Sequence, residues 1–207
     1  MKNNRTLFIA EFSLLAVIEA VFCFTFLGSL PIGPTIVATL AMIPVIITGE
    51  LLGYKAGAAL GFICGIFSVI WWTLMPGVSA PFAFAFTPFY STGELRGNFF
   101  SLVISIVPRT LVGVTSGLLC AFLLKHARKP DIFIYALCAA VGSLTNTIGV
   151  LGGIWLFFGK EYASAAGKSI YDIIRILVLT NGVPEAAVAA VVCPAVVKPL
   201  VIVTKRH

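Results

Sequence analysis

Apolar residues run along this chain in blocks rather than in one-sided stripes. From Leu7 to Leu27 nearly every position is aliphatic, aromatic or small, and blocks of the same texture follow over 36–52, 56–74, 99–124, 132–158 and 184–203. A helix rises about 1.5 Å per residue, so roughly 20 such residues cross a hydrocarbon core of about 30 Å. The pattern predicts an all-α integral membrane protein of six transmembrane helices. The first block follows Lys2 and Arg5 and superficially resembles a signal peptide. Its apolar stretch is too long for one and no small-x-small site precedes Pro31, so it reads as the first helix. Gly53-Tyr54-Lys55 forms a tight turn after the second block.

Two stretches differ. Residues 75–98, MPGVSAPFAFAFTPFYSTGELRGN, hold three prolines and many aromatics without a steady period. An aqueous linker would be more polar and a helix would hold fewer prolines, so an ordered loop lying on or dipping into the protein is expected. Residues 160–180 read as a polar-to-amphipathic connector, broken at Asn181-Gly182, with Pro184 in the first turn of the sixth helix. With no internal repeat and no low-complexity tail, a single membrane domain over 1–207 is expected.

Composition identifies the solvent. Hydrophobic residues make up 59% of the chain and charged residues 11%, against about 25% charged in soluble domains. So few charges cannot cover a water-facing surface, and lipid must surround most of it. The net charge of +6 does not point to nucleic acid, because Lys and Arg stand at the ends of the apolar blocks and not in a stripe among aromatics. Their placement is topological. Nine of the fourteen fall on the side of the termini (2, 5, 55, 125, 128, 129, 198, 205, 206), four on the other (96, 160, 168, 175), and Arg109 lies between. Cytoplasmic loops retain Lys and Arg, so both termini are expected to be cytoplasmic in a multi-pass protein of the cell membrane.

The candidates for chemistry are the ionisable and amide groups inside the blocks, which are costly in lipid. Arg109 stands about 22 Å above the cytoplasmic edge of its helix, Asn146 about 21 Å and Glu19 about 18 Å. Glu185 opens the sixth helix, and Asn181 and the aromatic loop lie just above. These residues are expected to converge in the outward half. Arg109 offers a planar fork of donors that fits a carboxylate; it either braces Glu19 or Glu185 or captures an anionic substrate group. Asn146 is either an interhelical hydrogen bond or a ligand. Glu11 and Glu50 lie nearer the cytoplasmic edge, where snorkelling or a packed partner is expected. The five cysteines (Cys23, Cys64, Cys120, Cys138, Cys193) lie singly inside apolar blocks and read as small packing residues, without zinc spacing or a disulfide framework.

Small residues four apart let helix backbones approach: Gly57-Gly61-Gly65, Gly113-Gly117, Gly149-Gly153, and Ala16 with Ala20. Several motifs are missing. Gly167-Lys168-Ser169 is not a phosphate loop, since Tyr162 stands where its leading glycine belongs. There is no HExxH or GxSxG, and the two histidines, His126 and His207, sit at the cytoplasmic rim. No cofactor, no metal and no catalytic group are expected, and any ATP hydrolysis must come from another chain.

The order of these features resembles a known family. The segments IPVIITGELLGYKAGAALGFICGIFS, PRTLVG, LTNTIGVLGGIW and NGVPEAAVAAVVCPAV resemble, in order and spacing, the substrate-binding S-components of energy-coupling factor (ECF) vitamin transporters, and most closely the pantothenate branch. The resemblance covers nearly the whole chain. It implies a vitamin bound from outside beneath the first, third and fifth loops, with Arg109 suited to the carboxylate of pantothenate. It further implies association with a membrane coupling subunit and two cytosolic ATPases, and toppling of the S-component to deliver substrate. An AxxxA pattern on the first helix contacts the coupling subunit in such proteins; Ala16 and Ala20 match it, while Glu19 within it is a departure that suits a packed pocket better. The alternatives are riboflavin or another micronutrient as substrate and, in other classes, a self-sufficient secondary transporter or a membrane-embedded enzyme using Glu19 or Glu185.

Overall fold

The computed structural model describes residues 2–25, 29–31, 37–75, 77–93, 95–127 and 131–204. The expected boundaries at Leu27 and Ile36, and the cationic positions Arg128, Lys129, Lys205 and Arg206, lie outside them, as does His207. The fold is all-α apart from two small hairpins. Its helices are α1 (Lys2–Phe24), α2 (Ile43–Leu52), α3 (Tyr54–Leu74), α4 (Phe99–His126), α5 (Ile132–Ala166), α6 (Ile170–Leu177) and α7 (Val183–Thr204). Strands β1 (Ser29–Pro31) and β2 (Val37–Thr39) pair antiparallel between α1 and α2, and β3 (Ser91–Thr92) pairs with β4 (Leu95–Arg96) before α4.

Five helical stretches among the described residues are long and apolar enough to cross a membrane. The second apolar block is the exception. Residues 37–39 are drawn into β2, and a 3-10 turn over Leu40–Met42 leads into α2, so Leu40–Leu52 spans about 20 Å. Every residue from Ala41 to Glu50 is buried, because α2 packs against α1, α3, α4, α5 and α7. A helix apolar on all sides suits lipid or a protein interior equally. That ambiguity is why the sequence pattern suggested a longer helix here.

Two other boundaries differ from expectation. The fifth block was expected to end at 158. The backbone does leave helical geometry at Phe158 (φ −135°, ψ 19°), but it resumes and continues to Ala166, where Gly167 ends it in the left-handed conformation (φ 62°). Asn181-Gly182 does not break the chain. Residues Val178–Gly182 wind as a π-helical turn that carries α6 directly into α7, because helical hydrogen bonding can widen to admit an extra residue without stopping.

The glycine spacings do what their size permits. Along the α3–α4 seam a side chain on Gly57 would come within 2.6 Å of the Gly113 carbonyl, and one on Gly65 within 2.7 Å of the Ile106 Cα. Between these, Gly61 backs directly onto the carbonyl of Arg109. Gly117 meets the backbone of Tyr54, and Gly49 of α2 meets Ser116. On α5, Gly149 and Gly153 receive the side chains of Pro108 and Ile104. Helix α4 is thereby held backbone to backbone against α3, and through its side chains against the glycines of α5.

The aromatic segment is an ordered cover. A 3-10 helix over Gly77–Ala85 buries Ala83 to Thr87 against α4 and α5. Ser101 and Ser105 of α4 donate hydrogen bonds to the carbonyls of Phe84 (2.7 Å) and Phe86 (2.6 Å). Phe86 stacks on Trp72 at 4.5 Å, and the Phe84 ring meets Phe158 edge-on at 5.6 Å. Asn98 caps α4 by accepting from the Phe100 amide, while Ser101 accepts from the Asn98 amide. This reciprocal capping box fixes where the loop becomes helix.

Candidate functional site

The site begins with a proline. Pro108 lies inside α4 and has no amide hydrogen, so the carbonyl of Ile104, four residues earlier, loses its helical donor. Arg109 replaces it: its Nη1 donates to the Ile104 carbonyl at 2.8 Å. That one bond folds the guanidinium back along α4 toward the aromatic cover, and its Cζ stands 6.0 Å from the centre of the Phe86 ring, near enough for cation–π attraction. Nε of Arg109 is buried and has no hydrogen-bond acceptor. The guanidinium is thus anchored at one corner with donor capacity left over.

Cys64 of α3, Cys23 of α1 and Glu185 of α7 lie within electrostatic range of this cation. Glu19, fully buried, accepts a hydrogen bond from the Cys23 thiol at 3.1 Å, the Cys64 thiol stands within 4.8 Å of its carboxylate, and its Oε2 has no hydrogen-bond partner. Arg109 and Glu19 do not bond each other. Of the two bracing partners expected for Arg109, Glu185 lies within electrostatic range of it.

Asn146 and Asn181 enter from the other wall. Gly182, next to Asn181 in the π-helical turn, packs on the Thr147 methyl so closely that a Cβ there would come within 2.7 Å. This contact places the Asn181 turn against the Asn146 turn of α5. Both asparagines are half-buried, and the Oδ1 of Asn146 is buried without a hydrogen-bond donor. Helices α1, α3, α4, α5 and α7 thus each place polar groups at this end of the bundle, beneath the aromatic cover.

The remaining expectations sort by burial. Ala16 is half-buried against the central core and Ala20 is half-buried, whereas Leu14, Val17 and Val21 stand exposed on α1. Glu50 neither snorkels nor finds a hydrogen bond: it is buried in the core, where it acts on Tyr135 and Cys193, with neither carboxylate oxygen bonded. An open apolar groove lined by Ile132, Pro194, Lys198 and Val203 lies toward the far end of α7, nine or more residues beyond Glu185 and so roughly 14 Å or further along the helix; it is separate from this site.

Residue-by-residue reading missed Cys23, Cys64 and Phe86. The four-residue spacing of Glu19 and Cys23 places them on one helix face, which was legible. Cys64 and Phe86 come from elsewhere in the chain and needed the tertiary fold.

Comparison with known proteins places the chain in a family. A family model described as the ECF transporter, substrate-specific component, matches residues 7–197. The pantothenic acid transporter PanT of Lactococcus lactis subsp. cremoris (strain MG1363) is 35% identical over 163 residues, covering 78% of this chain and 76% of that protein.

Proposed function

The chain belongs to the family of ECF transporter substrate-specific components, and from that premise we propose that it captures pantothenate and that Arg109 binds the vitamin's carboxylate. It is a multi-pass protein of the cell membrane and a transporter component, not an enzyme. The similarity to a pantothenic acid transporter supplies the candidate substrate. The observation that carries the reading is the half-committed guanidinium of Arg109, held at Nη1 by the Ile104 carbonyl and with Nε buried without an acceptor. A carboxylate matches such a fork. Asn146, Asn181 and Glu185 then meet the hydroxyl and amide groups that pantothenate also carries, and Glu19 supports the floor through Cys23 and Cys64.

Arg109→Ala should weaken pantothenate binding by about 2–5 kcal/mol, the usual cost of truncating one member of a buried charge pair. Arg109→Lys should recover part, because an ammonium lacks the fork. Near wild-type affinity in folded Arg109→Ala protein would remove the assignment. Riboflavin, the alternative substrate, has no carboxylate, so tight riboflavin binding that ignores Arg109 would favour that reading.

The chain forms one membrane domain that crosses six times, with the enclosed α2 as the short second pass and both termini cytoplasmic. A reporter fused after His126 should then be cytoplasmic and one at Lys160 external; both on one side would contradict six crossings. Energy is supplied by a membrane coupling subunit and two cytosolic ATPases, which co-purification with the intact chain would reveal. The coupling face is α1, where Ala16 and Ala20 flank an exposed apolar strip.

A further inference from the structure

The two thiols beside Glu19 do more than fill space. Cys23 Sγ, Cys64 Sγ and a Glu19 carboxylate oxygen all lie within 4.8 Å of one another. Ions such as Zn2+ take thiolate sulfur at about 2.3 Å and carboxylate oxygen at about 2.0–2.2 Å. Tetrahedral ligands then stand about 3.5–3.8 Å apart, so small side-chain rotations suffice to close the triad around one ion. The second oxygen of Glu19 is buried, belongs to a side chain with no exposed surface, and has no hydrogen-bond partner. Cys64 is buried and Cys23 is half-buried, which leaves one side for entry.

Charge also fits. Two thiolates and a carboxylate carry −3, which a divalent ion reduces to −1, and Arg109, within electrostatic range of both sulfurs, supplies the compensating positive charge. In the apo protein the Cys23 thiol donates to the Glu19 carboxylate; as the ion enters, the two thiol protons leave to water and the carboxylate binds as it stands.

We propose that Glu19, Cys23 and Cys64 form a binding site for a thiophilic d10 divalent cation of the Zn2+ and Cd2+ class, bridging α1 to α3 beneath Arg109. Filling it ties α1, the most loosely held long helix, to the glycine-packed body of the protein.

The test uses the purified full-length protein without vitamin, titrated with Cd2+ under reducing conditions. One Cd2+ per chain should bind, with the ultraviolet thiolate-to-cadmium charge-transfer band, and Zn2+ should displace it. Cys23→Ala/Cys64→Ala should lose the band, whereas Cys120→Ala/Cys138→Ala, which removes a thiol pair elsewhere in the core, should keep it. Should the first double variant fail to fold, Glu19→Gln serves in its place: affinity should fall about 10- to 100-fold, the range seen when a metal site loses a supporting group. No band in the wild type, a band that survives loss of Cys23 and Cys64, or unchanged affinity in Glu19→Gln would each overturn the proposal. None of these readouts depends on which vitamin the chain carries.

Discussion

Helices α1 and α2 are neighbours with nearly the same texture in the sequence, yet they live in different surroundings. Helix α2 has no unburied residue between Ala41 and Glu50, whereas in α1 only Leu15 and Glu19 are buried between Arg5 and Phe24. The difference lies in what meets them. Gly49 lets α2 settle against Gly113 and Ser116, and α3 and α4 close around it on glycines of their own. Helix α1 offers no such approach and rests on α2 and α3 through a few side chains. In lipid, where apolar side chains gain nothing by leaving the solvent, association follows backbone proximity and polar contact. The glycine seam is therefore the rigid body, and α1 is the helix most free to serve another surface.

The largest effect should come from spoiling that seam. Gly113→Leu places a side chain into the Gly57 backbone, which cannot yield by rotamer change. Overpacking costs about 1–3 kcal/mol where side chains can adjust and more where backbones must part. The variant should fail to yield a monodisperse protein in detergent, as read by size-exclusion profile and thermal unfolding. A normal melting curve would break the contrast between the two helices.

Next in size is the aromatic cover. Ser101→Ala or Ser105→Ala strips the donor from a buried carbonyl of Phe84 or Phe86, and leaving a buried acceptor unpaired costs about 1–3 kcal/mol. Limited proteolysis should show earlier cleavage within 75–98, with α1 unaffected. Equal protection in variant and wild type would mean that ring stacking alone holds the cover.

The smallest effect on stability is expected on the outer face of α1. Val17→Trp adds bulk where the side chain already faces outward, so unfolding should shift by no more than about 0.5 kcal/mol. Uptake through the coupled complex should nevertheless fall while vitamin binding persists, if α1 docks the coupling subunit. Ala16→Trp is a less clean probe because Ala16 also packs inward; it should impair folding and uptake together. Wild-type uptake by Val17→Trp would move the coupling face elsewhere.

How legible all this was depended on range. The long spans were readable because lipid imposes a length of apolar sequence, and the ends at Leu74 and Phe99 came out as expected. The short α2 was not, since lipid and protein interior ask for the same residues. Depth alone put Arg109 and Glu185 at one level, and Glu185 does lie within electrostatic range of Arg109. The meeting of Cys64 with Glu19 and Cys23 depends on how α1 is rotated against α3, and no local pattern encodes that. Nor did the motif PRTLVG disclose that its proline frees the carbonyl to which its arginine is tied.

The central claim is that Arg109 holds a carboxylate, and a paired comparison of protein and ligand tests it most directly. Affinities of the wild type and Arg109→Ala should be measured for pantothenate and for pantothenol, in which the carboxylate is replaced by an alcohol. If the guanidinium binds that group, wild-type protein should prefer pantothenate by about 2–5 kcal/mol, and Arg109→Ala should bind both weakly with little preference. A preference that survives intact in Arg109→Ala would place the carboxylate elsewhere and contradict the site described here.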